Sequence, residues 1–123
     1  MDSDADLRFC TLNCKGLLDA TKRSKLIFFL DVNKIDIAFL QETYCTLKHK
    51  YSFELASKRF EFIHNFSSRH KSAGTVILIR KSAKIKISEI DKFGVDGRTL
   101  SCNVTRGGRV IRFVSVYAPS PLN

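Results

Sequence analysis

Short apolar runs and one longer amphipathic segment alternate along the first forty or so residues. Residues 7–13 (LRFCTLN) and 36–41 (DIAFLQ) have the length and composition of β-strands. Between them, residues 20–32 (ATKRSKLIFFLDV) repeat apolar positions at helical spacing, with basic residues on the opposite side. A strand, a helix and a strand in this order predict a crossover unit with two parallel strands.

Within the predicted helix, one group of apolar residues is expected to pack on the sheet. Leu26, Ile27 and Leu30 share one helical face, opposite the basic residues. Phe28 and Phe29 are predicted to add further packing contacts from the same helix. We therefore expect the helix to cover one face of the sheet.

The remainder of the chain has mainly β character. A second, weaker helix is predicted for Leu47 to Lys58, and Gly107 with Gly108 is a suitable two-residue hairpin connection. Several runs are apolar on both faces and must be covered on both. We expect an α/β (α+β) fold, in which a mixed sheet has helices on one face and is covered on the other from outside this chain. The β-rich runs are residues 60–66, 74–81, 84–90, 98–106 and 109–117.

Composition and charge narrow the expected partners. Residues 1–123 suffice for one domain core, and no repeat or linker divides them. A formal net charge of +9 attracts polyanions, which favours nucleic acid as a partner, although a well-solvated surface would also carry such scattered charges. The sequence shows no apolar leader, no bilayer-spanning run and no zinc spacing among its four cysteines. These features predict an intracellular protein with free thiols and no membrane partner.

Polar residues end the first two predicted strands and are candidates for chemistry. Asn13 ends the first strand and Glu42 follows the second, and ligands bind beyond the carboxyl ends of such parallel strands. A carboxylate and an amide oxygen are suitable ligands for a Mg²⁺ ion that also binds substrate phosphate. Alternatively, Asn13 could bind the substrate by donating its amide NH₂ to a phosphate oxygen. Two structural roles fit the spacing equally well, because Glu42 could cap a following helix and Asn13 could close a turn.

Five short motifs, taken in order, resemble a known family. RFCTLNCKGL, DIAFLQET, SAGTVILI, DGRTLSCNV and VSVYAPS are similar to the amino-terminal half of the endonuclease/exonuclease/phosphatase superfamily, and most similar to the apurinic-type endonuclease domain of LINE-like (non-LTR) retrotransposons. The resemblance implies a four-layered α/β sandwich that hydrolyses DNA phosphodiesters with Mg²⁺, for which Mn²⁺ is an alternative. It also implies a nuclear location.

The resemblance assigns roles to individual residues. Asn13 matches the active-site asparagine of the family, and Glu42 matches its metal-ligating glutamate. Tyr117 matches the tyrosine that contacts the scissile phosphate, although a core tyrosine with a bonded hydroxyl is the structural alternative. Arg98 matches a recurrent position with a structural role or a contact to the DNA backbone.

The sequence also departs from the family. Beyond its Tyr-Ala-Pro strand the family has Asp-x-Asn and Ser-Asp-His motifs that activate the attacking water, and this chain has neither there, while His49, His64 and His70 lie in other contexts. We therefore expect the amino-terminal part of a Mg²⁺-dependent DNA endonuclease, incomplete as a catalyst. The alternatives are a non-catalytic remnant that binds nucleic acid or protein, and a metal-dependent phosphatase. The missing half predicts that a second copy or another chain covers the exposed sheet face.

Overall fold

A computed structural model of the protein describes residues 6–49, 58–66, 73–93 and 98–118. Within these ranges the chain forms one α-helix, α1 (Ala20–Val32), and seven strands in two sheets. The strands are β1 (Phe9–Asn13), β2 (Ile37–Gln41), β3 (Phe60–Asn65), β4 (Thr75–Arg80), β5 (Lys86–Phe93), β6 (Thr99–Arg106) and β7 (Arg109–Val116).

The first sheet is mixed and contains the predicted crossover unit. Its strand order is β1-β2-β4-β3, in which β1 and β2 are parallel and the other neighbours are antiparallel. The register of the parallel pair runs from Phe9 opposite Ile37 to Asn13 opposite Gln41. Helix α1 connects the two strands, so the predicted strand-helix-strand unit is confirmed.

Helix α1 packs on one face of this sheet, but only through part of its apolar surface. Ile27 and Leu30 are buried in the first core cluster, and Leu26 packs against it. The prediction that Phe28 and Phe29 pack with them was wrong, because these side chains are 69% and 44% exposed. Successive helical residues are about 100° apart, which turns both rings away from the sheet. The other buried members of the cluster are Leu17, Ala38, Leu40, Cys45, Phe60, Phe66, Val76 and Leu78.

The second sheet is antiparallel, with the order β5-β6-β7. Gly107 and Gly108 connect β6 to β7, as predicted, and their φ values of 57° and 80° are those of a primed hairpin turn. The inner face of this sheet packs on the first sheet through a second core cluster. The buried members of this cluster are Ile37, Phe39, Ile77, Ile79, Leu100, Cys102 and Val104.

The described residues thus form three layers, helix, sheet and sheet, which confirms the α/β fold class. We expected another chain to cover the second face of the sheet. For β4 this expectation was wrong. Ile77 and Ile79 on that face are buried by the chain's own second sheet. The outer face of β7 differs, since Val110, Val114 and Val116 are 60%, 56% and 58% exposed.

The remaining predictions on local structure have mixed outcomes. All four cysteines are free. The weaker helix predicted from Leu47 appears as a single 3-10 turn at Leu47–His49, and residues 50–57 lie outside the described ranges. In the part of the chain that the structure describes, no helix has the length and apolar character needed to cross a membrane.

Candidate active site

Three strands bring the predicted site residues to one end of the sandwich. Asn13 is the last residue of β1, Glu42 directly follows β2, and Tyr117 directly follows β7 of the second sheet. The Asn13 side-chain amide Nδ2 donates a hydrogen bond to the Glu42 carboxylate Oε2. Asn13 and Glu42 therefore converge beyond the carboxyl ends of the parallel strands, as their spacing predicted.

The backbone at Glu42 explains why its carboxylate leaves the core. Its φ of 51° is left-handed, a conformation that costs a non-glycine residue roughly 1–2 kcal/mol. This turn ends the alternation of β2 and directs the half-buried side chain toward Asn13. Backbone bonds hold the turn in place: Cys14 N–H to Gln41 O at 2.8 Å, Gly16 N–H to Glu42 O at 2.7 Å, and Leu17 N–H to Thr43 O at 2.7 Å.

The two structural alternatives have different outcomes. The Asn13 side-chain oxygen Oδ1 accepts a hydrogen bond from the Lys15 backbone N–H at 3.2 Å, so Asn13 does close a turn while its amide nitrogen contacts Glu42. Residues 43–46 are not helical, so no helix follows directly on Glu42 for its carboxylate to cap. The Glu42 carboxylate instead accepts a hydrogen bond from the Asn13 side-chain amide.

Tyr117 and Arg98 lie on the second-sheet side of the site. The Tyr117 backbone N–H donates a hydrogen bond to the Arg98 carbonyl at 2.8 Å. Desolvation raises the pKa of the Tyr117 hydroxyl, and the nearby Glu42 carboxylate and Tyr44 hydroxyl raise this pKa further, against a lowering effect of Arg98. The hydroxyl of Tyr117 therefore stays protonated at neutral pH and can donate a hydrogen bond to an anion.

Sequence reasoning missed two residues at this site, Lys22 and Tyr44. The Lys22 ammonium Nζ donates hydrogen bonds to the carbonyls of Cys14, at 2.6 Å, and Lys15, at 3.3 Å, which fixes a positive charge beside Asn13. The Tyr44 ring lies on Gly16, where an added Cβ would approach the ring carbon Cδ2 to 2.6 Å. The position of Lys22 in the first turn of α1, just after the loop that follows Asn13, could have predicted its role. No local sequence pattern predicts the contact of Tyr44 with Gly16.

The donor atoms at the site suit a hard divalent ion bound by few protein ligands. Among the described residues, no group of three or more His, Cys, Asp and Glu side chains could hold a metal ion. Mg²⁺ requires less, because it keeps several waters and uses one or two carboxylates with substrate phosphate oxygens. Glu42 supplies one carboxylate, and Asn13 supplies an amide oxygen once its amide rotates from its present donor orientation. The residues present therefore fit such an ion.

The chain is similar to known proteins in sequence and in fold. No protein-family model matches the chain. A curated relative, the "Transposon TX1 uncharacterized 149 kDa protein" of Xenopus laevis, is 28% identical over 114 residues, which are 93% of this chain and 8% of that protein.

Solved structures resemble the chain over nearly its whole length. The AP endonuclease LMAP from Leishmania major has a TM-score of 0.71 at 20% identity, covering 95% of this chain and 43% of that one. The endonuclease domain of TRAS1, a telomere-specific non-LTR retrotransposon, has a TM-score of 0.64 at 14% identity, covering 92% and 46%. D. rerio TDP2, complexed with a single strand DNA product, has a TM-score of 0.63 at 21% identity, covering 88% and 44%.

This chain spans less than half of each of these solved structures, so it corresponds to part of their domains. The chain has the fold of the endonuclease/exonuclease/phosphatase superfamily over part of the domain.

Proposed function

We propose that this chain is the amino-terminal part of a Mg²⁺-dependent DNA endonuclease of the retrotransposon type, incomplete as a catalyst by itself. The observation that supports this most strongly is the contact between Asn13 and Glu42 at the strand ends, with Tyr117 on the facing sheet. Mn²⁺ is an alternative ion, because it also takes oxygen ligands.

Each residue has a distinct role in this proposal. Glu42 and Asn13 hold the divalent ion, which when bound neutralises charge on the substrate phosphate. Tyr117 donates a hydrogen bond from its protonated hydroxyl to a phosphate oxygen. Arg98 contributes positive charge on the side of the second sheet, and Lys22 does so beside Asn13.

Among the described residues, no side chain is placed to activate the attacking water. We therefore propose that the chain is incomplete as a catalyst. The ring nitrogen Nδ1 of His49 accepts a hydrogen bond from the Thr46 backbone N–H at 3.0 Å. The His64 ring stacks on Phe66 with a centroid separation of 4.2 Å, and His70 lies outside the described residues. In-line hydrolysis needs a positioned base as well as charge neutralisation, so we propose that another polypeptide segment supplies it.

DNA is the proposed partner, bound through its backbone phosphates. The net charge of +9 favours a polyanion, and the fixed ammonium of Lys22 stands beside the proposed metal ligands. The solved D. rerio TDP2 complex holds a single strand DNA product, which supports a nucleic-acid substrate for this fold. A nuclear location belongs to the same proposal. We also propose that a second copy or another chain covers the exposed outer face of β7.

Nicking of supercoiled plasmid with and without Mg²⁺ tests the proposed activity. Because the chain is incomplete, we expect slow but measurable Mg²⁺-dependent nicking that Glu42→Gln abolishes. Glu61→Gln is the matched control, since Glu61 is an exposed carboxylate on β3 of the same sheet, away from the site. Nicking that persists in Glu42→Gln, or that does not require a divalent ion, contradicts the assignment of Glu42.

The second candidate is a nucleic-acid-binding remnant, favoured by the anchored Lys22 and by the lack of an evident base among the described residues. Binding of this kind weakens steeply with salt, because counterions are released from the phosphates. It would also survive Glu42→Gln. A wild-type chain that binds DNA with these properties and never nicks it, even slowly, supports this second reading over the first.

A further inference from the structure

Gln41 connects the two sheets directly beside the proposed site. Its side-chain nitrogen Nε2 lies 2.9 Å from Thr11 Oγ1 on β1 and 3.1 Å from the carbonyl of Phe39 on β2. The same nitrogen lies 3.1 Å from the hydroxyl Oγ of Ser115 on β7. An amide NH₂ has two protons, which these three acceptors share. One side chain thus contacts all three strands that end in site residues.

The position of this bridge makes it more than a general stabilising contact. Gln41 directly precedes Glu42, Thr11 lies two residues before Asn13, and Ser115 lies two residues before Tyr117. Strand neighbours at a spacing of two point to the same face, so Asn13 and Tyr117 lie on the face of the bridge. Glu42 is adjacent to Gln41, and its left-handed backbone directs its side chain to Asn13. Ser115 is 4% exposed, so the contact on β7 is shielded from water.

The residues around these hydrogen bonds of Gln41, the Gln41 bridge, are otherwise apolar. Their contacts do little to fix how the two sheets are oriented. A cleft of about 420 Å³ between the sheets is lined by Gln41, Thr11 and Ser115 together with the rings of Phe9, Phe39 and Phe113. The Phe113 ring lies 5.5 Å from that of Phe9 and 5.0 Å from that of Phe39. Packing of this kind holds the sheets together, but it is not directional, whereas hydrogen bonds fix the register between them.

We propose that Gln41 is a positioning residue, whose amide fixes Tyr117 on the second sheet opposite Asn13 and Glu42 on the first. The importance of this position for phosphodiester cleavage rests on the proposed function, but the positioning itself does not. Misplacement of a catalytic group by about 1 Å can lower a rate roughly 10²-fold, so a bridge of this kind has direct consequences for activity.

Fluorine NMR of the metal-free, DNA-free protein tests the positioning directly. The three tyrosines of the chain are labelled with 3-fluorotyrosine, and each signal is assigned by a Tyr→Phe substitution. In Gln41→Met, which keeps the length of the side chain and removes its donors, we expect the Tyr117 signal to shift, broaden or split. The Tyr44 signal should change less than that of Tyr117, because Tyr44 packs on Gly16 on the first-sheet side of the site and senses only the movement of its neighbour.

Two further variants keep the test decisive. Ser115→Ala removes only the acceptor on β7 and should change the Tyr117 signal in the same direction, even if Gln41→Met folds poorly. Asn33→Ala removes a carboxamide hydrogen bond of 2.9 Å to the Phe29 carbonyl, at the far end of the sheet, and should change neither signal. A Tyr117 signal unchanged in Ser115→Ala, or Tyr44 and Tyr117 signals that move equally in all three variants, overturns the proposal. Plasmid nicking does not enter this measurement, so the two proposals can fail separately.

Discussion

Among single residues, the site combines strained backbone with the half-buried thiol of Cys14. Lys15, Glu42 and Tyr44 all have positive φ values, of 50°, 51° and 63°. Residues in this conformation persist where surrounding contacts hold the backbone in place, and they are common at functional sites. Cys14 lies between Asn13 and Lys15, and burial, its largest influence, raises the pKa of its thiol from the usual 9.0 to about 12. The thiol is therefore unreactive at neutral pH.

The raised pKa of Cys14 predicts a loss of stability at alkaline pH. The native state keeps the thiol proton that the unfolded chain releases, so this contribution is complete below pH 9.0 and is lost as the pH rises toward about 12. One such thiol lowers the free energy of unfolding by at most about 1.4 kcal/mol per pH unit in this window. Urea unfolding of wild type and Cys14→Ala between neutral and alkaline pH measures it. Equal slopes above pH 9 in the two proteins would show that Cys14 is not responsible.

At the scale of elements, helix α1 has one buried face and one exposed apolar face. Leu30 is fully buried against the first sheet, whereas Phe28 is 69% exposed. Leu30 and Phe28 are both large and apolar and lie two positions apart. A difference between their effects on stability therefore reflects packing rather than residue type. The helix is held by the residues that contact the sheet.

Truncation of these two residues should have very different effects on stability. Leu30→Ala is expected to lower the free energy of unfolding by about 2–5 kcal/mol, because it removes buried methyl groups and leaves a cavity. Phe28→Ala should change it by less than about 0.5 kcal/mol, apart from small helix-propensity effects. Chemical denaturation of both variants measures the difference. Similar losses from both substitutions would mean that Phe28 is buried in solution.

Local patterns predicted the elements better than their packing. The crossover unit, the Gly107–Gly108 hairpin and the convergence of Asn13 with Glu42 all follow from residues close in sequence or from strand direction. The second sheet lying on β4 could not be predicted, because an apolar strand does not specify what covers it. The bridge from Gln41 to Ser115 joins residues 74 positions apart, and no local pattern encodes such a contact.

At the scale of the whole molecule, one apolar surface has no cover among the described residues. Val110, Val114 and Val116 on β7 and Phe93 on β5 are each more than half exposed and lie on the outer face of the second sheet. Arg112 lies on the same face, between Val110 and Val114, and forms an ion pair with Asp91, so the apolar groups surround one paired charge. Exposed apolar surface marks an interaction site or an aggregation risk. This is the face that we propose a second copy or another chain covers.

If a second copy covers this face, a further and unpaired positive charge beside Arg112 should prevent association. Sedimentation velocity across protein concentrations should show wild type increasing in mass, while Val114→Lys remains monomeric. Val32→Lys is the matched control, because Val32 is similarly exposed, at 61%, but lies on α1. A wild type that is monomeric at every concentration, or a Val32→Lys variant that behaves like Val114→Lys, argues against a second copy on this face.

We propose that Asn13 and Glu42 form a divalent metal site facing Tyr117, and paramagnetic broadening by Mn²⁺ detects an ion bound there. Titration of the labelled protein should first broaden the backbone NMR signals of Asn13, Glu42 and Tyr117, and Glu42→Gln should abolish the effect. Signals of Glu61 and Asp91, exposed carboxylates elsewhere, serve as internal controls. Broadening centred on another carboxylate, or unaffected by Glu42→Gln, would contradict the account.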